Sequence, residues 1–473
     1  MRMQLFDERV PTADRRPGDR DRIDNDPALQ TGTAIDEQDP SRTEGHDEPL
    51  PELRRGPPPV GAIHRGREPP HRLTKADTLD GGHGTTMRER TEGRGLATRA
   101  IHAGERPDPT THAHRTPIYA TATYTFDTAA DKEDAVDRSL AWEPGVYFYS
   151  RTGNPTNRAL EEKIASLEGA EDAVVSSSGM AAVAATLFAH LAAGDHLVAG
   201  QELFAITNVL LDDDFPRRGI GVTRVDPTDL DAVEAAVTPA TRALFVECST
   251  NPTLRIPDLD ALAALARRHD LLFIADNTFL GPVILRPLEH GADLVLHAAT
   301  KYLSGHGDAV SGVVAGRKAL MDPIRSQTDT LGQAASPFSS FLVQRGVRTL
   351  PLRTKAASNN AARIAQLLEG HERVEWVRYP GLPSHPDHAV AQRLLGDIGG
   401  AMVTFKPRGG RDGMAAFTDH LRLCDIGVSL GDIHTLVYPR PKDGGIIRLS
   451  IGCEDIDDLV EDFELGLSYV PAS

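Results

Sequence analysis

From Asn154 onward, the apolar positions of the chain fall into two alternating patterns. Leu160, Ile164 and Leu167 recur at helical spacing over 156–167, and Gly169 stands where such a helix ends. Short unbroken apolar runs follow at 173–175, 196–199, 243–246, 271–275 and 294–296, each the length of a buried strand. Helical segments are predicted between them at 179–193, 231–237 and 259–268, the last with Leu259, Leu262 and Leu265 on one face. Buried strands alternating with helices predict an α/β fold, a mostly parallel sheet flanked by helices. Ligands of such sheets gather beyond the carboxyl ends of the strands. After residue 335 the order changes. Long helices are predicted at 336–349 and 355–368, then strands at 374–379, 400–405 and 446–451 with amphipathic helices at 388–395, 410–421 and 456–467. That arrangement reads as a smaller α+β C-terminal domain. The predicted organisation is therefore an arm at 95–152, a large domain at 153–350 and a C-terminal domain at 351–473.

The first 86 residues lack either pattern. They are rich in Pro, Gly, Asp, Glu and Arg, as in Arg54-Arg55-Gly56-Pro57-Pro58-Pro59. Such a segment buries too little apolar surface to offset its ordering entropy, so residues 1–94 are expected to be a disordered extension. Met87, just ahead of the first patterned segment, offers an alternative translation start.

Composition narrows the function classes. Of 473 residues, 40% are hydrophobic, with no run near the ~20 needed to cross a bilayer. With no apolar secretory segment at the N-terminus, a cytoplasmic location is expected. A net charge of -17 argues against a nucleic-acid partner. Cys248, Cys424 and Cys453 show no metal-ligand spacing, and no metal is expected.

The chemistry concentrates at predicted strand ends. The strand at 294–296 runs into Ala299-Thr300-Lys301-Tyr302, with Gly305 and Gly307 close behind. A lysine there is either an ordinary surface residue or, through its apolar surroundings, an amine of lowered pKa suited to Schiff-base chemistry. Ser176-Ser177-Ser178-Gly179-Met180 joins a strand to a helix start, which is either a plain cap or an anion seat. Asp276 ends another strand, where a carboxylate needs a cationic partner or serves as a loop hydrogen-bond acceptor.

Taken in order, these and further motifs resemble the Cys/Met-metabolism enzymes that use pyridoxal phosphate: cystathionine γ-synthases, cystathionine γ-lyases, methionine γ-lyases and O-acylhomoserine sulfhydrylases. The similarity runs through the segment 98–104, Pro117-Ile118-Tyr119, Tyr149-Ser150-Arg151, Asn154-Pro155-Thr156 and Leu167-Glu168-Gly169. It continues through Ser178-Gly179-Met180, Asp276-Asn277-Thr278-Phe279, Thr300-Lys301-Tyr302, Gly305-His306, Arg345-Gly346, Tyr379-Pro380-Gly381-Leu382, Ser429-Leu430-Gly431 and Arg448-Leu449-Ser450. The resemblance implies an aminotransferase-like fold and pyridoxal 5'-phosphate as cofactor. It implies that Lys301 carries the cofactor and then shuttles protons. Asp276 resembles the residue that keeps the pyridine nitrogen protonated, and Gly179 and Met180 the phosphate-binding helix start. Thr300 is similar to a phosphate contact and Asn251 to a residue near the ring. Arg448 resembles the arginine that grips the substrate α-carboxylate, and Ser429 matches a position near the substrate. Tyr149 and Arg151 resemble a pair reaching the phosphate of a neighbouring subunit, which implies a homodimer at least and, by family habit, a homotetramer.

Three departures stand out. Phe204 occupies the place of a ring-stacking tyrosine, so stacking is kept and a hydroxyl acid/base is lost, leaving Tyr149 or Lys301 to protonate the leaving group. Ala298 replaces a phosphate-contacting serine, and the loop at 438–445 is short. The implied reaction removes the α- and then a β-proton of a small amino-acid substrate and expels its γ-substituent, by lysis or by exchange. Val428, apolar just before Ser429, and Gly305-His306-Gly307-Asp308 lean toward methionine γ-lyase, whereas Phe204 leans toward sulfhydrylases and Ile206 narrows the pocket. Cystathionine synthesis, sulfhydrylation and a non-catalytic cofactor-binding scaffold are the alternative readings.

Overall fold

A computed structural model of the chain describes residue 91 and residues 93–472. The expectations for the N-terminal extension and for Met87 as its start fall outside the described residues, save Thr91, Gly93 and Arg94.

Seven strands make the first sheet: β1 (Asp172–Ser176), β2 (His196–Gly200), β3 (Gly221–Val225), β4 (Thr241–Glu247), β5 (Leu272–Asp276), β6 (Leu294–His297) and β7 (Gly312–Gly316), in the order β1-β7-β6-β5-β4-β2-β3. Pairings among β2 to β6 are parallel, and β7 runs antiparallel to both β1 and β6. The mostly parallel α/β sheet expected from the apolar pattern is therefore present. Side chains alternate faces along each strand. Val175, Val295 and Val313 join one apolar cluster with Leu160 and Ile164, while their neighbours Val174, Leu296 and Val314 join another with Ala182 and Leu187. Both faces are thus covered, and each fully buried Val or Leu contributes roughly 1.5–3 kcal/mol.

β3 and β7 escape the sequence pattern. β3 is an edge strand in which only Val225 is buried. β7 follows a glycine-punctuated loop that breaks the strand–helix rhythm.

Helix ends obey local chemistry. Asn154 caps the helix Pro155–Glu168 through the Thr156 N–H, and Gly169 closes it at φ 76°. Ser178 caps Gly179–His190 through the Ala181 N–H, and this helix ends three residues before the predicted end, where Leu191 turns to extended backbone.

Five further strands form a second sheet: β8 (Val374–Arg378), β9 (Met402–Pro407), β10 (Asp425–Ile426), β11 (Leu436–Arg440) and β12 (Ile446–Ser450), in the order β10-β11-β12-β9-β8. Helices Gly410–Thr418 and Ile456–Tyr469 cover it through Phe405, Phe417 and Phe463, whose rings pack at 5.2 and 5.6 Å between centroids. The stretch 438–445 is less loop-like than its Pro and Gly content suggested, because Tyr438 to Arg440 pair with β12 as part of β11. The 20-residue helix Leu350–Glu369 serves both sheets: Leu350 and Ala357 lie in the first core, and Ala361, Ile364 and Leu368 in the second. Among the described residues, no helix is long and apolar enough to cross a membrane, and no cluster of His, Cys, Asp and Glu is arranged to hold a metal ion.

Candidate active site

The carboxyl ends of β4, β5 and β6 open on a cavity of about 250 Å³, together with the start of helix Gly179–His190 and, from the second sheet, Arg448 on β12. Gly179, Met180, Phe204, Asn251, Asp276, Thr300, Lys301 and Arg448 all line it. Ser429 completes the group through hydrogen bonds to two of these residues.

Lys301 follows β6 in a tight turn in which its N–H donates to the Ala298 carbonyl at 3.0 Å. Its Nζ donates to Ser429 Oγ at 2.8 Å. Burial lowers its pKa, and the nearby Arg448 guanidinium lowers it further. Asp276 ends β5 with Oδ1 accepting from the Thr278 N–H at 2.9 Å and hydroxyl at 2.5 Å. Burial nevertheless raises its pKa, so these two bonds do not offset desolvation. Next to it in register on β4, Glu247 is buried and accepts from the Phe204 N–H at 2.6 Å. Its pKa is pushed well up by burial and then by the Asp276 charge.

At the opposite wall, Arg448 is 3% exposed. Nη1 donates to Asn251 Oδ1 at 3.1 Å and Nη2 to the Ser429 carbonyl at 3.2 Å. The Tyr438 ring lies 4.9 Å from the guanidinium carbon. Burial, then repulsion by Arg440, lowers its pKa to about 10. Its Nε is buried with no hydrogen-bond partner, and no carboxylate pairs with it among the described residues. A buried cation with a spare donor on a cavity wall suits an anionic ligand.

The start of helix Gly179–His190 faces the turn before Lys301 so closely that a Cβ at Gly179 would sit 2.7 Å from the Ala298 Cβ. Ser178 occupies the Ala181 N–H. The first helical N–H groups, at Gly179 and Met180, have no intrahelical partner and could receive an anion. It is the absence of a Cβ at Gly179 that keeps that approach open. The Thr300 hydroxyl donates to the Ser311 carbonyl at 3.2 Å and accepts from the Ser311 N–H at 3.0 Å. Phe204 is 47% exposed, with its ring on the cavity.

Two residues singled out in the sequence are not brought to this cavity by their own chain. Tyr149 is exposed, and Arg151 stacks on its ring at 5.5 Å and donates to Asp329 Oδ1 at 2.5 Å. Conversely, Glu247, Ser249, Thr278 and His297 line the cavity without having been named as site residues. The rule that ligands gather at strand ends applies to each of them, and His297 lies only four positions before Lys301.

A lysine amine, a buried carboxylate, a helix N-terminus and an aromatic residue at the strand ends of a doubly covered α/β sheet, faced by an arginine from the second sheet, define a class: enzymes built to hold pyridoxal phosphate. The donor set suits both charged ends of that group, its phosphate and its ring nitrogen. The family model for "Cys/Met metabolism PLP-dependent enzyme" matches residues 97–468, and the chain belongs to that family. It is 39% identical over 395 residues to an L-methionine gamma-lyase of Fusobacterium nucleatum subsp. polymorphum, covering 80% of this chain and 98% of that protein. It is 40% identical over 389 residues to a cystathionine gamma-synthase of Mycobacterium bovis, covering 79% and 97%. Among solved structures, the cystathionine gamma-lyase of Lactobacillus plantarum complexed with L-serine superposes with a TM-score of 0.74 at 37% identity, covering 80% of this chain and 99% of that one. The protein is a pyridoxal-phosphate-dependent enzyme of cysteine and methionine metabolism.

Proposed function

We propose that the chain catalyses γ-elimination or γ-replacement on a methionine- or homoserine-type amino acid at the cavity beneath Arg448. The observation that carries this reading is the opposed placement of Lys301 Nζ and the Arg448 guanidinium, linked through Ser429. Lys301 would hold the cofactor covalently, Asp276 its ring nitrogen, Gly179, Met180 and Thr300 its phosphate, and Phe204 and Asn251 its ring. When bound, the cofactor supplies an electron sink for the charge left at the substrate carbons.

The remaining work falls to side chains. Arg448 fixes the substrate carboxylate with two or more charge-assisted donors, while Asn251 and the Ser429 carbonyl hold the guanidinium still. Lys301, its amine made neutral more readily by burial, moves the α-proton and then a β-proton off the substrate and delivers a proton to the departing γ-group. Ser429 positions that amine by accepting from it. With no hydroxyl on Phe204, Lys301 is the proton carrier that this chain itself brings to the cavity. Tyr149 and Arg151 would reach the site only from a second copy, which favours a homodimer or a tetramer of two dimers as the working unit. Val428, at the cavity mouth and 79% exposed, offers an apolar wall where a distal amino group would find no partner. That supports carbon–sulfur lysis of a methionine-type substrate over reaction on cystathionine. A cytoplasmic location agrees with such a small-molecule substrate.

A substrate panel tests the reading. Methionine, cystathionine and O-acetyl- and O-succinylhomoserine are supplied with and without cysteine or sulfide. Release of 2-oxo acid and thiol from methionine is expected. Turnover only of acylated homoserine with added cysteine or sulfide would move the assignment to a synthase or sulfhydrylase.

A further inference from the structure

Arg448 is a buried cation without a counter-carboxylate. Among the described residues no Asp or Glu is in ion-pair contact with it, and its Nε has no hydrogen-bond partner. A charge so placed is costly unless something offsets the lost water. Two aromatic rings, one from each sheet, lie against it instead. The Tyr438 ring centroid is 4.9 Å from the guanidinium carbon and the Phe279 centroid 5.9 Å. Tyr438 stands directly opposite Arg448 where β11 pairs with β12, so both side chains project from the same face of the second sheet. Phe279 follows the end of β5, is buried and lines the cavity.

The short stretch 438–445 accounts for the place of Tyr438. Pro441–Asp443 makes a single 3-10 turn, and Gly444 and Gly445 take φ 78° and 81°, values that favour glycine. The pairing of β11 with β12 therefore runs right up to the turn, as far as Arg440 opposite Ile446. Arg440 shares the face of Tyr438. Its guanidinium carbon lies 5.4 Å from the Tyr438 ring, and its Nε donates to the Asp443 carboxylate. The turn thus holds Arg440, and Arg440 backs the ring that meets Arg448.

Resting on the reading of Arg448 as the seat of the substrate carboxylate, we propose that Tyr438 is a positioning residue for that arginine. Its ring, with that of Phe279, stabilises the buried guanidinium and leaves donors free for the substrate. A ring face attracts a cation without taking its N–H groups in the guanidinium plane. A carboxylate in the same place would occupy those donors and compete with the substrate. Asn251 and the Ser429 carbonyl each take one N–H, and Nε is among those left over. Tyr438 does not line the cavity, so it acts through Arg448. The consequence is a preference for amines that carry an α-carboxylate over amines that lack one.

The test titrates holoenzyme with two probes, norleucine and pentylamine, the second being the first without its carboxylate. Binding is followed by the change in cofactor absorbance. Native holoenzyme should bind norleucine the more tightly. Tyr438→Leu should weaken norleucine about tenfold and leave pentylamine within about twofold. Tyr438→Phe, which keeps the ring, should regain the lost affinity. Arg448→Ala serves as reference and should abolish the preference. If it does so while Tyr438→Leu, folded by circular dichroism, keeps the preference, the ring has no such role and Arg448 keeps its own. An equal loss of both probes in Tyr438→Leu, or a Tyr438→Phe protein as impaired as Tyr438→Leu, also overturns the proposal. If the native enzyme shows no preference, or Arg448→Ala leaves it intact, the reading of Arg448 itself fails. The native holoenzyme decides the case even where the Tyr438 variants do not fold. Ring currents should shift the Arg448 Nε–H proton upfield in a spectrum of 15N-arginine-labelled protein, the resonance being assigned by its loss in Arg448→Lys. A resonance at the ordinary arginine position overturns the role of the ring.

Discussion

The Lys301 amine is held in surroundings that favour its neutral form, and this has a stability consequence opposite to that of a stabilising ion pair. With its pKa lowered in the fold from 10.5, the unfolded chain binds the more protons between the two values. Below the folded pKa both states are charged and the full cost of burying the ammonium is present; above 10.5 it vanishes. Cofactor-free Lys301→Met should therefore be more stable than the native chain in urea at neutral pH, with the gain disappearing as the pH approaches 10.5. At the opposite wall, Arg448→Ala removes charge-assisted bonds of roughly 1.5–3 kcal/mol, so KM for the amino acid should rise by about tenfold to a hundredfold in steady-state assays. Phe204→Tyr restores a hydroxyl at the cavity and should raise kcat for elimination by about tenfold or more, measured as 2-oxo acid release. At this scale the sequence told much about identity and little about partnership. Lys301, Asp276 and Arg448 stand in recognisable motifs. The Glu168–His297 contact joins residues 129 positions apart, and no local pattern announces it.

At the scale of elements, the site depends on one close approach between a helix start and a turn. Gly179→Ala would drive a Cβ to 2.7 Å from the Ala298 Cβ, two groups without room to yield. Cofactor affinity, followed by fluorescence titration, should fall by more than tenfold while far-ultraviolet circular dichroism stays native. The buried strands were legible because each is a short apolar run between helical segments. β3 was not, since an edge strand with one buried side chain writes no such run, and neither was β7, whose antiparallel return departs from the strand–helix alternation. Proline and glycine made 438–445 read as a loop, yet β12 supplies Tyr438 and Arg440 with partners that no local propensity encodes. That pairing sets the Tyr438 ring beside Arg448.

For the whole molecule, the long helix Leu350–Glu369 is the element shared by both cores, and it fixes how the second sheet delivers Arg448 over the ends of β4 to β6. The sequence foretold two architectures in succession and a long helix at 355–368 joining them; the structure starts that helix earlier, at Leu350, and a helix that is apolar toward two different partners reads locally as a single amphipathic stripe. The account as a whole turns on one covalent claim. Holoenzyme reduced with borohydride, digested and mapped by mass spectrometry should carry the cofactor mass on the peptide containing Lys301 and on no other. Label on a different lysine, or none anywhere in a protein that binds pyridoxal phosphate, would contradict it.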